Sequence, residues 1–151
     1  MLGNVRSAQN VGSFFRTGDA FAIEHIALCG ITATPPNREI HKTALGAEES
    51  VAWSHHATTA ECIGRLRDEG YSIVAVEQVE GAAMLGSFRV ETGRKYAIVF
   101  GNEVEGVDQQ VVDLCDTAIE IPQAGTKHSL NVAVSGGVVL WDLFCQIRLK
   151  P

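Results

Sequence analysis

Residues 119–140, Ile-Glu-Ile-Pro-Gln-Ala-Gly-Thr-Lys-His-Ser-Leu-Asn-Val-Ala-Val-Ser-Gly-Gly-Val-Val-Leu, read as a strand, a loop and a helix in direct succession. The strand, residues 117–121, ends at Pro122, which has no N–H to give to a ladder. A polar loop follows through Gly125 and Thr126, where glycine admits backbone angles that other residues resist. Ser129 stands where a helix N-cap belongs, because a serine oxygen accepts from an otherwise unpaired amide. The helix expected over residues 130–148 is apolar on most faces, a pattern that predicts burial all round. It nevertheless contains Ser135, Gly136 and Gly137, and an interior glycine costs about 1 kcal/mol relative to alanine. Close approach of another backbone, or of a ligand, to this small-residue face would offset that cost. Spacing alone leaves two readings open: the tightly packed last β-α unit of an α/β domain, or a ligand-binding loop.

Working outward, the 151 residues fit one domain with a core of its own, residues 1–151. An apolar fraction of 46% and a charged fraction of 20% are those of an ordinary globular chain. No apolar run approaches the roughly 20 residues that span a bilayer, and no signal-peptide pattern opens the sequence. Cys29, Cys62, Cys115 and Cys145 are widely spaced in apolar surroundings, which predicts buried free thiols in a reducing cytoplasm and no metal. A net charge of −6 argues against coating nucleic acid by bulk electrostatics, while leaving room for a local basic patch.

Strands and helices alternate. Residues 7–21 read as a helix, with Val11, Phe14 and Phe15 at i, i+3, i+4 spacing. Strands are expected at 26–29, 51–54, 73–76 and, most clearly, 96–100, the last in a central position. Further helices are expected at 38–45 and 107–114, and one opened by a Thr58/Glu61 capping box that stops at Gly70. Residues 80–93 read as loop with irregular pieces. This alternation indicates an α/β fold with a mainly parallel sheet flanked by helices.

Three constellations fall where open α/β sheets bind ligands, after strands or at helix starts. The first is Asn10-Val11-Gly12 with Arg16, the arginine lying about 600° of helical turn beyond the asparagine. Taken alone, Arg16 reads as a surface ion-pair partner. The second is Val99-Phe100-Gly101-Asn102-Glu103-Val104-Glu105-Gly106, which by composition is a strand-exit loop with solvated glutamates. The third is the opening stretch itself. Pro122, Gly125, Ser129, Leu130 and Asn131, followed by small and apolar residues, resemble the third motif of the SpoU/TrmH family of RNA ribose 2′-O-methyltransferases, in the SPOUT superfamily. Asn-x-Gly-x-x-x-Arg likewise resembles the family's first motif, and Phe-Gly-x-Glu-x-x-Gly its second. Three motifs in the family's order cover nearly the whole chain.

The resemblance implies an α/β trefoil knot in the C-terminal part, S-adenosylmethionine as cofactor, and a homodimer, with the helix carrying Val138, Trp141 and Phe144 as a candidate contact surface. It implies a catalytic set of Arg16, Asn10, Glu103, Ser129 and Asn131. Phe100, Gly101, Asn102, Ile121, Gln123, Ser129 and Leu130 would hold the cofactor. Val76, and Glu77 after it, end a strand able to flank the same pocket, although no motif supports them. Lys127-His128 departs from the commoner family residues, and His128 is read as a polar loop residue. Only Met1 and Leu2 precede Asn4-Val5-Arg6 as strand material, so the family's first strand is expected to be truncated. Arg6, Arg38, Lys42, Arg89, Arg94, Lys95 and Lys127 are candidates to meet RNA, singly no different from solvated surface charge. The absence of an added RNA-binding segment favours tRNA slightly over rRNA. The alternatives are an inactive SPOUT-fold RNA-binding or assembly protein and a nucleotide-dependent oxidoreductase, the latter disfavoured by the absence of a GxGxxG turn.

Overall fold

The computed structural model describes residues 1–127 and 129–149, so the expectation for His128 lies outside the described residues. The strands are β1 (Leu2–Gly3), β2 (His25–Cys29), β3 (Ala52–His56), β4 (Tyr71–Val76), β5 (Ala83–Met84), β6 (Lys95–Val99) and β7 (Thr117–Glu120). The helices are α1 (Ala8–Ala20), α2 (Arg38–Ala44), α3 (Ala47–Ser50), α4 (Thr59–Asp68), α5 (Gln109–Leu114) and α6 (Val132–Arg148). Most of these match the periodicity, because apolar spacing and caps are local properties. Ser7 Oγ accepts the Asn10 N–H at 3.2 Å to start α1. Thr58 Oγ1 accepts the Glu61 N–H at 3.1 Å to start α4, which gives way to Gly70.

Every strand pair is parallel. One group runs β1-β2-β3 and the other β5-β7-β4-β6. A parallel bridge between Leu2 and Phe100 joins them, with the Gly3 N–H donating to Phe100 O at 2.9 Å and the Phe100 N–H to Met1 O at 3.0 Å. The spatial order is therefore β3-β2-β1-β6-β4-β7-β5, with β1 and β6 adjacent at the centre. Alternate residues along β4 and β6 serve opposite faces, as the strand period requires. Val74, Ile98 and Phe100 join the core beneath α1, α2 and α6. Ile73, Ala97 and Val99 join the smaller core with Ile63 of α4 and Val107. Both faces are covered, which is why these strands read as continuous apolar runs.

Three expectations need correction. Asn131, not Ser129, caps α6: its Oδ1 accepts the Ala133 and Val134 N–H groups at 2.9 and 3.2 Å, and the helix begins two residues later than expected. Secondly, α6 is not buried all round. Val134 is 52% and Trp141 51% exposed, while Val139, Leu140 and Leu143 face the core. Thirdly, the small-residue face meets a side chain and not a backbone. A methyl on Gly136 would lie 2.3 Å from Cε1 of Phe14, whereas one on Gly137 would meet open space. The glycine of the first constellation has a packing role as well: a methyl on Gly12 would lie 2.2 Å from Ile40 O, so α1 and α2 touch closely there.

Cys29 and Cys62 are buried free thiols as expected, but Cys115 and Cys145 are half-buried. Among the described residues no helix is long and apolar enough to cross a membrane. Nor is any group of three His, Cys, Asp or Glu side chains among them arranged to hold a metal ion. A cavity of about 840 Å³ lies towards the N-terminal ends of β2 and β6, lined by Met1, Ile26, Ala97 and Leu143 among others. Of the described residues in the three constellations it touches only Phe100 and Leu140.

Candidate active site

From β1 the chain steps outward to β2 and β3, then returns on the far side of β6. Such a reversal opens a crevice beyond the carboxyl ends of the strands, and there the three constellations converge. Glu103, in the loop after β6, reaches the start of α1. Its Oε2 accepts the Arg6 N–H at 2.8 Å and its Oε1 the Ser7 N–H at 2.9 Å. Oε1 also accepts from Asn10 Nδ2 at 3.2 Å, and Asn10 Oδ1 in turn accepts from Asn131 Nδ2 at 3.2 Å. A carboxylate and two amides thus tie the loop after β6, the first turn of α1 and the cap of α6 into one chain of hydrogen bonds. Burial alone works against the charged form of Glu103. The amides of Arg6, Ser7 and Glu103 itself, with Asn10, outweigh it and hold the carboxyl below its ordinary range. Glu103 is therefore not the solvated residue that composition implies.

The rest of that loop is tightly specified. Asn102 and Gly106 exchange two backbone hydrogen bonds of 2.9 Å each. Asn102 Oδ1 accepts the Val104 and Glu105 N–H groups at 2.8 and 3.1 Å, and its Nδ2 donates to Asn4 O at 3.0 Å. A methyl on Gly101 would lie 2.2 Å from the Gly106 carbonyl, so that glycine permits the closure. From β4, Glu77 Oε2 accepts the Val107 N–H at 2.7 Å. A polar cavity of about 490 Å³ lies here, lined by Asn4, Glu77, Phe100, Gly101, Asn102 and Gly106 among others. That volume suits a small-molecule ligand, for which sites run to roughly 300–1,000 Å³.

Of the expected cofactor residues, Phe100, Gly101 and Asn102 line this cavity; Val76, Ile121, Gln123, Ser129 and Leu130 are not among its lining residues. Leu130 and Ser129 are exposed on the loop before α6, and Ile121 packs against the larger core. Of the expected catalytic set, Asn10, Glu103 and Asn131 are brought into contact. Arg16 is exposed on α1 and makes no ion pair among the described residues. Glu77, expected by its position alone to flank the pocket, does line it, although it carries no motif. One contributor escapes sequence reasoning. Asn4 sits at φ 54°, and its Oδ1 accepts the Ile31 N–H at 3.1 Å, joining the exits of β1 and β2; the readiness of asparagine for positive φ is the one local signal.

The basic residues divide. Lys42 pairs with Glu39 at 2.7 Å and Arg94 with Glu91 at 2.9 Å. Arg89 donates to the carbonyls of Gly86 and Phe88, and Lys95 lies 5.2 Å from the centre of the Tyr71 ring. Arg6, Arg38 and Lys127 are exposed and form no ion pair among the described residues.

A parallel α/β sheet covered on both faces, with a polar cavity at the exits of β1, β4 and β6 and a hydrogen-bonded bridge between three remote segments, has the architecture of the open-sheet class, whose ligands bind at strand exits. The chain belongs to the SpoU rRNA methylase family, whose model matches residues 1–141. A Staphylococcus aureus protein named for the TrmH family of tRNA/rRNA methyltransferases is 28% identical over 145 residues, covering 95% of this chain and 57% of its own. The 23S rRNA (guanosine-2′-O-)-methyltransferase RlmB of Nitrosomonas europaea is 30% identical over 146 residues, covering 97% and 55%. The AdoMet-bound rRNA methyltransferase of Sinorhizobium meliloti superposes with a TM-score of 0.86 at 28% identity, over 93% of this chain and 53% of that one. The chain thus spans a little over half the length of these relatives.

Proposed function

We propose that this chain methylates a ribose 2′-hydroxyl of RNA, with S-adenosylmethionine as the methyl donor. The observation that carries the reading is the Glu103–Asn10–Asn131 bridge, which draws the three motif segments together at the strand exits. The family and the relatives' chemistry support it. S-Adenosylmethionine would supply an electrophilic methyl on a sulfonium centre. It also presents two ribose hydroxyls and an ammonium group, so it needs acceptors. The strand-exit cavity is rich in them, with Glu77, Glu105 and Asp108 on its walls beside the apolar ring of Phe100. The residues present fit the group.

The protein's own task is to place the ribose hydroxyl and favour its developing negative charge. Arg16 suits this as an electrostatic clamp on the neighbouring phosphate and the oxyanion, since a guanidinium is not readily deprotonated. It lies about 9 Å further along α1 than Asn10, so the hydrogen-bonded bridge anchors its helix and does not touch its side chain. Ser129 and Leu130, exposed beside the Asn131 cap, would meet substrate or cofactor. Within this reading the segment between β7 and α6 belongs to the trefoil knot of the family. The protein acts as a homodimer through the exposed stripe Val134, Val138 and Trp141 of α6. Trp141 is held there in an aromatic cluster, its ring centre 5.7 Å from that of Phe21 and 6.1 Å from that of Phe144.

Transfer of labelled methyl from S-adenosylmethionine to total tRNA and to rRNA, followed by nucleoside mapping, tests the proposal. Label in 2′-O-methylated nucleosides is expected. Label on a base would refute the ribose assignment. Cofactor binding without transfer to either RNA would favour the inactive RNA-binding alternative.

A further inference from the structure

Glu77 is the first residue after β4, and its carboxylate crosses to the loop that follows β6. Oε2 accepts the Val107 N–H at 2.7 Å, while Oε1 accepts the neighbouring Gln78 N–H at 2.9 Å. The fit is close. A methyl on residue 106 would lie 2.1 Å from Oε2, and Gly106 also holds a φ of 71°, where side chains are disfavoured. The loop is thereby fastened at four points: to itself through Asn102 and Gly106, to β1 through the Asn102–Asn4 bond, to the start of α1 through Glu103, and to β4 through Glu77. The first two ties use neutral groups. The last two are charge-assisted, and such bonds are roughly twice as strong as neutral ones; of these, the Glu77 tie is the one that spans to β4. Glu77 also stands on the wall of the 490 Å³ cavity, so the distance between the two sides of that cavity depends on its reach.

We propose that Glu77 is a positioning residue for the cofactor: it sets the spacing between β4 and the 101–107 loop, and with it the affinity for S-adenosylmethionine. The inference rests on the methyltransferase reading and names a residue that the family motifs leave without a role. Glu77→Gln keeps the shape but must turn an NH2 group toward one of the two backbone N–H donors. Glu77→Asp keeps the charge and shortens the reach.

The test is calorimetric titration with S-adenosylmethionine, paired with steady-state methyl transfer on wild type, both variants and Glu49→Gln, a change in an exposed glutamate on α3 that does not line the cavity. Both Glu77 variants are expected to weaken cofactor binding about tenfold or more, the loss associated with one charge-assisted hydrogen bond. Cofactor KM should rise in parallel, while kcat at saturating cofactor and KM for RNA stay within about twofold, since the bond acts on cofactor binding alone. Glu49→Gln should match wild type. If wild type binds the cofactor and Glu77→Asp binds it equally well, the positioning role is overturned. So is it if kcat falls while cofactor affinity holds. If wild type itself fails to bind, the methyltransferase reading fails instead. A melting temperature for each protein separates weak binding from unfolding, and Glu77→Asp carries the test should Glu77→Gln not fold.

Discussion

Glu103 shows how one side chain in the crevice links charge to fold. Its carboxyl titrates below the ordinary value of 4.5 in the folded protein, so the ionised form favours folding. That contribution is complete above 4.5 and is lost as pH falls through the folded value. Glu103→Gln should therefore cost about 1.5–3 kcal/mol at pH 7, the worth of hydrogen bonds to a charged group. Urea midpoints should show the gap between wild type and variant closing at strongly acid pH; a gap that did not change with pH would contradict the assignment. Arg16 makes a different demand, for a planar fork and not merely a charge. Arg16→Lys should lower methyl transfer roughly 100-fold, the usual loss when one preorganised donor is removed. Its S-adenosylmethionine affinity should stay near wild type. Near-normal turnover by that variant would count against the clamp.

At the scale of elements, α6 separates two glycines that look alike in the sequence. Gly136→Ala pushes a methyl into the Phe14 ring, and overpacking of this kind costs about 1–3 kcal/mol. Gly137→Ala meets open space and removes an interior glycine, so it should be neutral or stabilising by up to about 1 kcal/mol. Thermal melts of the two variants should move in opposite directions, or at least differ clearly in size. The helix start carries two duties on one side chain. Asn131 Oδ1 caps the helix while its Nδ2 donates to Asn10. Asn131→Ala should exceed the roughly 1 kcal/mol typical of a lost cap, whereas Ser129→Ala should leave stability unchanged.

For the whole molecule the exposed apolar stripe on α6 decides assembly. Placing a carboxylate at its centre with Trp141→Glu should convert the proposed dimer to a monomer, read by light scattering, with the circular dichroism of the fold retained. A wild type that scatters as a monomer would remove the dimer from the reading. The overall charge of −6 sets a further expectation for RNA. Since 18 carboxylates outnumber 12 lysines and arginines, affinity should rest on local contacts such as Arg6, Arg38 and Lys127. Its dependence on salt should then be shallow by the standards of basic RNA-binding proteins.

The elements and the motifs were legible in the sequence because their signals are local. Apolar period, the cap at Thr58, and the glycines after α4 and β6, Gly70 and Gly101, each act within a few residues. What tertiary structure alone decided are relations across distance. Asn10 meets Glu103 93 residues away and Asn131 121 residues away. Glu77, which bears no motif, fastens the loop thirty residues on from it. Asn131 displaces Ser129 as cap, and Gly136 faces a ring while Gly137 faces solvent. None of these is encoded by local preference: each follows from the order β3-β2-β1-β6-β4-β7-β5, which brings particular strand exits side by side. Sequence spacing sets what each segment can form; the packing of the sheet sets which polar groups must find each other once water is excluded.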